Sequence, residues 1–291
     1  MFTREQLASA ADLVHGSMLP TPALNWPLLS AALDGDVWVK HENHTPTGAF
    51  KVRGGIVYID ELVRSGPPAG GLITATRGNH GQSIPYAARP HGIPVRVLVP
   101  EGNSAEKNAA MAAWGATVEI FGRDFDEARV AAERIADEAG SLFVRSFHEH
   151  LVRGVATYAL ELFEAVADLD TVYVPIGMGS GICGVILVRD LLGLATEVVG
   201  VVSDQADAVA RSFEAGDIIE TASANTFADG MACRVPAPDA MAIINRGAAR
   251  IVRISDDEIA DAVRLLYSFQ DPDTGLWGGA NAPRQSRING A

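Results

Sequence analysis

Short runs rich in valine and isoleucine alternate with longer stretches of helical period along most of the chain. No other feature restricts the fold as strongly. The runs are Asp36 to His41, Gly71 to Thr76, Pro94 to Pro100, Thr117 to Phe121, Leu142 to Arg145, Thr171 to Ile176, Glu197 to Val202 and Ile251 to Ile254. Several are almost continuously apolar, as in strands covered on both faces. Between them the spacing predicts helices over Ser104 to Trp114, Asp124 to Glu138, Glu149 to Val166 and Asp256 to Phe269, with Asp124 and Ser255 as N-caps. Such alternation implies an α/β protein with parallel sheets. Ligands of these sheets bind beyond the carboxyl ends of the strands. The loops after Thr76 and after Ile176 are therefore the places where a site is expected.

The 291 residues suffice for one large or two smaller domains, and 48% apolar residues allow a sizeable core. A net charge of −13 without any Lys/Arg-rich run argues against a nucleic-acid partner and against an anionic membrane surface. No uncharged apolar run is long enough to span a bilayer. The N-terminal MFTREQLASAADLVHG carries early charges and lacks the apolar stretch of a signal peptide. Two cysteines, Cys183 and Cys233, are too few for a disulfide framework and fit a reducing, cytoplasmic setting. The acids Asp126, Glu127, Glu133 and Asp137 of the helix from 124 read as a solvated face rather than a catalytic pair.

In VPIGMGSGICGV, Gly177, Met178, Gly179, Ser180 and Gly181 lead from a strand into a helix. Alternating glycines let the backbone approach a ligand closely, and the first N–H groups of the helix favour an anion, phosphate above all. The same stretch admits a second reading. Gly179, Gly181 and Gly184 match the dinucleotide pattern G-x-G-x-x-G, with Asp204 about twenty residues on as a ribose-binding acid, which would make a nicotinamide-dependent oxidoreductase. Against it, the pattern lies past the midpoint of the chain.

The second loop, TRGNHGQ, puts Thr76, Arg77, Gly78, Asn79 and His80 at a helix start, where Asn79 and nearby N–H groups can receive an oxygen-bearing ligand. For His80, a base and a hydrogen-bonded structural group are both open. A third stretch, HTPTGAFKVRGG, sets Lys51 between Phe50 and Val52 in a chain with only three lysines. An amine so placed is open to three readings: a surface charge, a phosphate clamp or a nucleophile. The oxidoreductase reading leaves this lysine without a role.

PTGAFKVRGG (Pro46 to Gly55), TRGNHGQ (Thr76 to Gln82) and GMGSG (Gly177 to Gly181) together resemble the fold-type II pyridoxal-phosphate enzymes. Within that group they are most similar to the threonine/serine dehydratase and serine racemase family. The triplet ADG (Ala228 to Gly230) and the pair Thr21-Pro22 add weaker support. The resemblance runs from about Thr21 to about Asp271. It implies a two-domain α/β fold like that of the tryptophan synthase β chain, with twisted, mostly parallel sheets flanked by helices. Residues 1–70 with 147–291 would form a discontinuous large domain and 71–146 a small one, the cofactor lying between them. It also implies pyridoxal 5′-phosphate as cofactor, joined to Lys51. Phe50 would lie beside its ring, Asn79 on its 3′-oxygen, and Gly177, Met178, Gly179, Ser180 and Gly181 around its phosphate. Thr76, Arg77, Gly78, Asn79 and His80 would receive the substrate, a small amino acid such as L-threonine or L-serine, from which the enzyme makes a 2-oxo acid and ammonia. A homodimer is expected. A racemase and a 3-hydroxyaspartate dehydratase are the alternatives inside the family.

Four departures qualify these expectations. Arg77 stands where the racemase branch has a serine that serves the second face of Cα, and arginine cannot act as a base. Val202 and Ala208 stand where some relatives have metal-binding carboxylates, so no metal is expected, although Asp204 and Asp207 lie nearby. Met178 and Ser180 replace glycines of the phosphate loop. After Asp273 the chain reads TGLWGGANAPRQSRINGA, a stretch without apolar period that reads as loop or disorder, and it leaves the ring-nitrogen partner unassigned.

Overall fold

The computed structural model describes residues 1–269, so the expectations placed on the stretch after Asp273 lie outside the described residues. Helix α1 (Arg4–His15) starts from a capping box. Thr3 Oγ1 accepts the Gln6 N–H, and the Gln6 side chain accepts the Thr3 N–H at 2.9 Å. Strands β1 (Ala23–Asn25) and β2 (Trp38–Lys40) flank the short helix α2 (Pro27–Ala32) and pair antiparallel, Ala23 opposite Lys40. The run expected from Asp36 to His41 is thus only three residues long in the structure, and it joins a hairpin instead of a parallel sheet. Its ends are diverted to side-chain contacts: Asp36 accepts from Asn25 and from Trp38 Nε1, and the His41 ring accepts from Trp26 Nε1.

Helix α3 (Lys51–Ser65) follows. Then come β3 (Leu72–Ala75), α4 (Asn79–Ala88), β4 (Val95–Val99), α5 (Ala105–Ala113), β5 (Thr117–Ile120), α6 (Phe125–Ala139) and β6 (Leu142–Phe143). These four strands form a parallel sheet in the order β5-β4-β3-β6. Strand β3 is buried along its whole length, as its unbroken apolar run requires. The chain continues through α7 (Glu149–Ala165), β7 (Thr171–Pro175), α8 (Ser180–Leu192), β8 (Glu197–Ser203), α9 (Ala208–Ala215), α10 (Pro238–Gly247), β9 (Arg250–Ile254) and α11 (Asp256–Phe269). Strands β7, β8 and β9 form a second parallel sheet in that order. Both expected caps are present. The Asp124 carboxylate accepts the Glu127 N–H at 2.9 Å, and Ser255 Oγ accepts the Glu258 N–H at 3.2 Å. No helix among the described residues is long and apolar enough to cross a membrane.

Helix α3 is clamped between α4 and α7 by glycines. A Cβ on Gly55 would fall 2.3 Å from Ser83 Oγ, one on Gly54 would fall 2.7 Å from the Leu151 carbonyl oxygen, and one on Gly154 would fall 2.3 Å from the Arg53 carbonyl oxygen. The GG pair therefore serves close helix packing. Backbone meets backbone, and the first turn of α3, which carries Lys51, is held in place. One turn into that contact lies Arg53, wholly buried. Its guanidinium meets Glu42 (2.8 Å) and Glu161 (2.6 Å) as ion pairs, and donates to Thr157 Oγ1 and Thr21 Oγ1. Lys40 and His15 also contact Glu161. Burial by itself would raise the Glu161 carboxyl, but hydrogen bonds from Arg53 and Lys40 bring it down to about 2.

Candidate active site

The carboxyl ends of β3, β6 and β7 and the first turn of α3 converge on a cleft of about 360 Å³. All the residues singled out from sequence line it: Phe50 and Lys51 on one side, Thr76 to His80 on a second, and Gly177 to Gly181 on a third.

Lys51 is the first residue of α3 and is half-buried. Its Nζ lies 5.8 Å from the centroid of the Phe50 ring. Burial holds its ammonium well below the usual lysine value, at about 8. At neutral pH roughly a tenth of such an amine is unprotonated, far more than for an exposed lysine. Its carbonyl oxygen accepts from Ser83 Oγ at 2.6 Å, which ties this turn to α4. Phe50 in turn packs on Tyr158, with ring centroids 5.9 Å apart.

In the glycine loop Gly177 and Gly179 have a steric reason. A Cβ on Gly177 would stand 2.1 Å from the Gly230 carbonyl oxygen. Gly179 has a φ of +92°, and a Cβ there would come within 2.9 Å of Ala240. Gly181 lies against Phe50 and accepts from the Tyr158 hydroxyl at 3.1 Å. Met178 keeps a negative φ, so its side chain costs the turn no strain. Helix α8 begins at Ser180, and its first N–H groups have no acceptor inside the helix. They form a concave donor surface open to an anion.

The asparagine loop opens α4 similarly. The Gly78 N–H is taken by Thr76 Oγ1 at 3.0 Å, so the donors left to the cleft are those of Asn79 and His80, at the helix start. His80 is buried and its Nε2 lies 3.3 Å from the Val144 carbonyl oxygen, an acceptor, so Nε2 carries the hydrogen. Burial, reinforced by the nearby Lys51 ammonium, pushes the imidazolium down to about 3. His80 is therefore neutral at physiological pH, with Nε2 held on the Val144 carbonyl. Arg77 is half-buried on the cleft wall.

A further stretch of the wall, Ala228 to Ala232, carries the ADG triplet but was not read as part of the site, and neither were Phe125, Ser146 and Pro175. Ser146 and Pro175 sit at or just past strand carboxyl ends, the signal that would have found them. The 228–232 turn has no such signal; its carbonyl at Gly230 simply fills the space that Gly177 leaves. Lys107 of α5 pairs with Asp229, and its aliphatic chain passes over Gly78. Asp126 of α6 pairs with Arg234 at 2.9 Å. Asp126 is thus held by an arginine and only part-exposed, a correction to the reading of this helix face as merely solvated. Glu127 and Glu133 pair with Arg123 and Arg129.

The dinucleotide reading fares less well. Gly184 is inside α8, where it packs on the Ala156 backbone, and Asp204 is exposed and outside the cleft lining. Asp207 is engaged by Arg211 and Arg253, and Val202 and Ala208 are buried.

A family model described as pyridoxal-phosphate dependent enzyme matches residues 14–283. The chain is 34% identical over 261 residues to an L-threonine ammonia-lyase of Geobacter sulfurreducens, covering 89% of this chain and 65% of the relative. It is 30% identical over 270 residues to an L-threonine ammonia-lyase of Thermotoga maritima, covering 91% and 66%. It thus spans a little under two thirds of the length of these two curated relatives. Among solved structures, serine racemase from Dictyostelium discoideum superposes with a TM-score of 0.82 at 26% identity over 92% of this chain and 86% of that one. Maize serine racemase superposes with 0.84 at 26% identity over 91% and 80%. An amine poised near neutrality beside an anion-receiving glycine loop is what the shared cofactor of such proteins requires. On the extent of the family match, the chain belongs to the pyridoxal-phosphate dependent enzymes.

Proposed function

We propose that the chain is a pyridoxal-phosphate-dependent dehydratase, an ammonia-lyase that converts a β-hydroxy amino acid such as L-threonine or L-serine to the 2-oxo acid and ammonia. The observation that carries the reading is the setting of Lys51: half-buried, its ammonium held at about 8 by burial, and facing the glycine loop across one cleft. The likeness to L-threonine ammonia-lyases supports the substrate class.

The residues fit the cofactor. Lys51 would hold its aldehyde carbon, and the N–H groups from Gly177 to Gly181 with the Ser180 hydroxyl would hold its phosphate. Phe50 would lie beside the ring, with Asn79 on the 3′-oxygen. When bound, the cofactor supplies an electron sink for the pair left on Cα. Lys51 Nζ would be the group that takes the Cα proton. The free N–H groups of Asn79 and His80 orient the substrate carboxylate, and the neutral His80 keeps the loop rigid without competing for that proton. The β-hydroxyl would leave as water, with the proton returned to it from the Lys51 ammonium. One water then re-enters to hydrolyse the C–N bond, so the net products are the 2-oxo acid and ammonia. Arg77 offers no second base, so the reading is elimination and not racemisation. In the same reading, residues 71–146 form the smaller of two domains, and the protein works as a cytoplasmic homodimer. The family resemblance supports the dimer, and two buried, unpaired cysteines suit the compartment.

The purified protein is expected to be yellow and to lose that colour with borohydride. With L-threonine it should form 2-oxobutanoate and ammonia in equal amounts. Reduction of a nicotinamide nucleotide, or D-serine made as fast as pyruvate, would contradict the reading. A second test addresses the phosphate loop. Gly177→Ala drives a methyl group against the Gly230 carbonyl. Cofactor affinity should fall about tenfold or more, with a stability loss of about 1–3 kcal/mol, as read by absorbance titration and urea unfolding.

A further inference from the structure

We infer that Tyr158 is a positioning residue for the cofactor: from behind the cleft wall it holds the glycine loop and the Phe50–Lys51 turn at one fixed spacing. The inference rests on the reading above, in which Lys51 holds the aldehyde carbon and the glycine loop the phosphate, and it adds a third group to that pair.

Tyr158 lies on α7, is buried, and is not part of the cleft lining. Helix α7 packs on both of the helices whose first turns form the site. Its Gly154 meets the Arg53 backbone of α3, and its Ala156 backbone meets Gly184 of α8. Four residues after Gly154, and so on the same face of α7, Tyr158 reaches both helix starts at once. Its ring packs on Phe50, with centroids 5.9 Å apart and planes at 55°. Its hydroxyl donates to the Gly181 carbonyl oxygen at 3.1 Å. The two contacts close on each other, since a Cβ on Gly181 would stand 3.4 Å from Phe50 Cζ and 3.6 Å from the phenol oxygen.

The carbonyl that the phenol holds belongs to the backbone of the anion-receiving turn. Gly181 O and the Ile182 N–H share one planar peptide. The Cys183 N–H is taken by the Gly179 carbonyl oxygen at 3.0 Å, so Ile182 is the last of the helix-start donors without an acceptor inside α8. In a helix the N–H points to the N-terminal end and the carbonyl to the other, so a donor that fixes the carbonyl also fixes the direction of the N–H. Burial pushes the phenol upward, and the hydroxyl keeps its proton and its role as donor at any working pH. A phenylalanine at 158 would fill the same volume against Phe50; only the hydroxyl reaches Gly181. The aldehyde and the phosphate lie a set distance apart in one ligand, so a spacing governed by this hydroxyl acts on a ligand that is held at both ends and not on one held at the amine alone.

The test titrates the full chain, stripped of cofactor, with pyridoxal 5′-phosphate and with pyridoxal, which has the aldehyde and no phosphate. Absorbance reads affinity, and borohydride trapping with mass spectrometry reads the share of the residue 51 peptide that is modified. Tyr158→Phe should bind pyridoxal 5′-phosphate about 3- to 10-fold more weakly than the unaltered chain, the range for one buried neutral hydrogen bond, and bind pyridoxal within about twofold of it. The ratio of the two affinities does not depend on the folded fraction, which urea unfolding measures alongside, so it stays readable in a less stable variant. An unchanged ratio, whether both ligands hold or both weaken, would make Tyr158 a packing residue and overturn the inference while leaving the cofactor reading intact. An unaltered chain that gives no adduct at Lys51 with pyridoxal 5′-phosphate would bring down the cofactor reading and this inference with it.

Discussion

Lys51→Ala protein will form 2-oxo acid from its β-hydroxy amino acid at least about 10⁴-fold more slowly than the unaltered chain, the upper range for loss of a positioned acid–base group. The residue both anchors the cofactor and moves the Cα proton, so neither role survives truncation. Borohydride treatment of the unaltered protein should add the reduced cofactor to the peptide that contains residue 51, and the variant should show no such adduct in the mass spectrum. The pH dependence follows from the Lys51 setting. The neutral amine is the attacking form and its folded-state pKa is about 8. Capture of added cofactor by the apo-protein should accelerate about tenfold per pH unit up to about pH 8 and level off above it. A rate flat from pH 6 to pH 9 would show that the amine is not the limiting group.

Arg53→Ala should be strongly destabilising, at about 3–5 kcal/mol, because it leaves the part-buried Glu42 and Glu161 without their guanidinium. Thermal unfolding should fall on the order of 10 °C. The deficit depends on pH with a definite sign. The Glu161 carboxyl in the folded protein is held at about 2, below its ordinary value of 4.5. Its stabilising contribution is fully present above about pH 4.5 and is lost as the pH falls toward 2. The gap between the variant and the unaltered protein should therefore narrow on acidification, since the orphaned carboxylates can protonate. Urea midpoints at pH 7 and pH 4 measure it, and an equal deficit at both would show that lost packing, not lost charge pairing, dominates.

Local pattern was enough for the strands of the two parallel sheets and for most of the residues that line the cleft. Each apolar run is short, so its ends can be misplaced by only a residue or two, and the Asp124 and Ser255 caps mark helix starts directly. Phe50, Lys51, the asparagine loop and the glycine loop all reach one cleft, because each lies at a helix start or a strand's carboxyl end, where the topology of parallel sheets brings loops together. What local pattern does not carry is partnership across distance. Arg53 reads as one more helix arginine until Glu161, 108 residues away, is brought beside it. The 228–232 turn is invisible for the same reason, since its fit to Gly177 exists only in three dimensions. The hairpin of β1 and β2 was missed because three residues are too few to show a period.

The backbone-to-backbone lock of Gly54, Gly55 and Gly154 has a kinematic meaning. Helix α3 cannot slide or roll against α4 and α7 without a collision, so the amine at its start is a fixed post. An opening that admits a substrate is then expected on the side of the 228–232 turn, whose tie to α5 runs through the Lys107–Asp229 contact. Engineers seeking a new specificity would do well to vary the moving jaw and leave the post untouched.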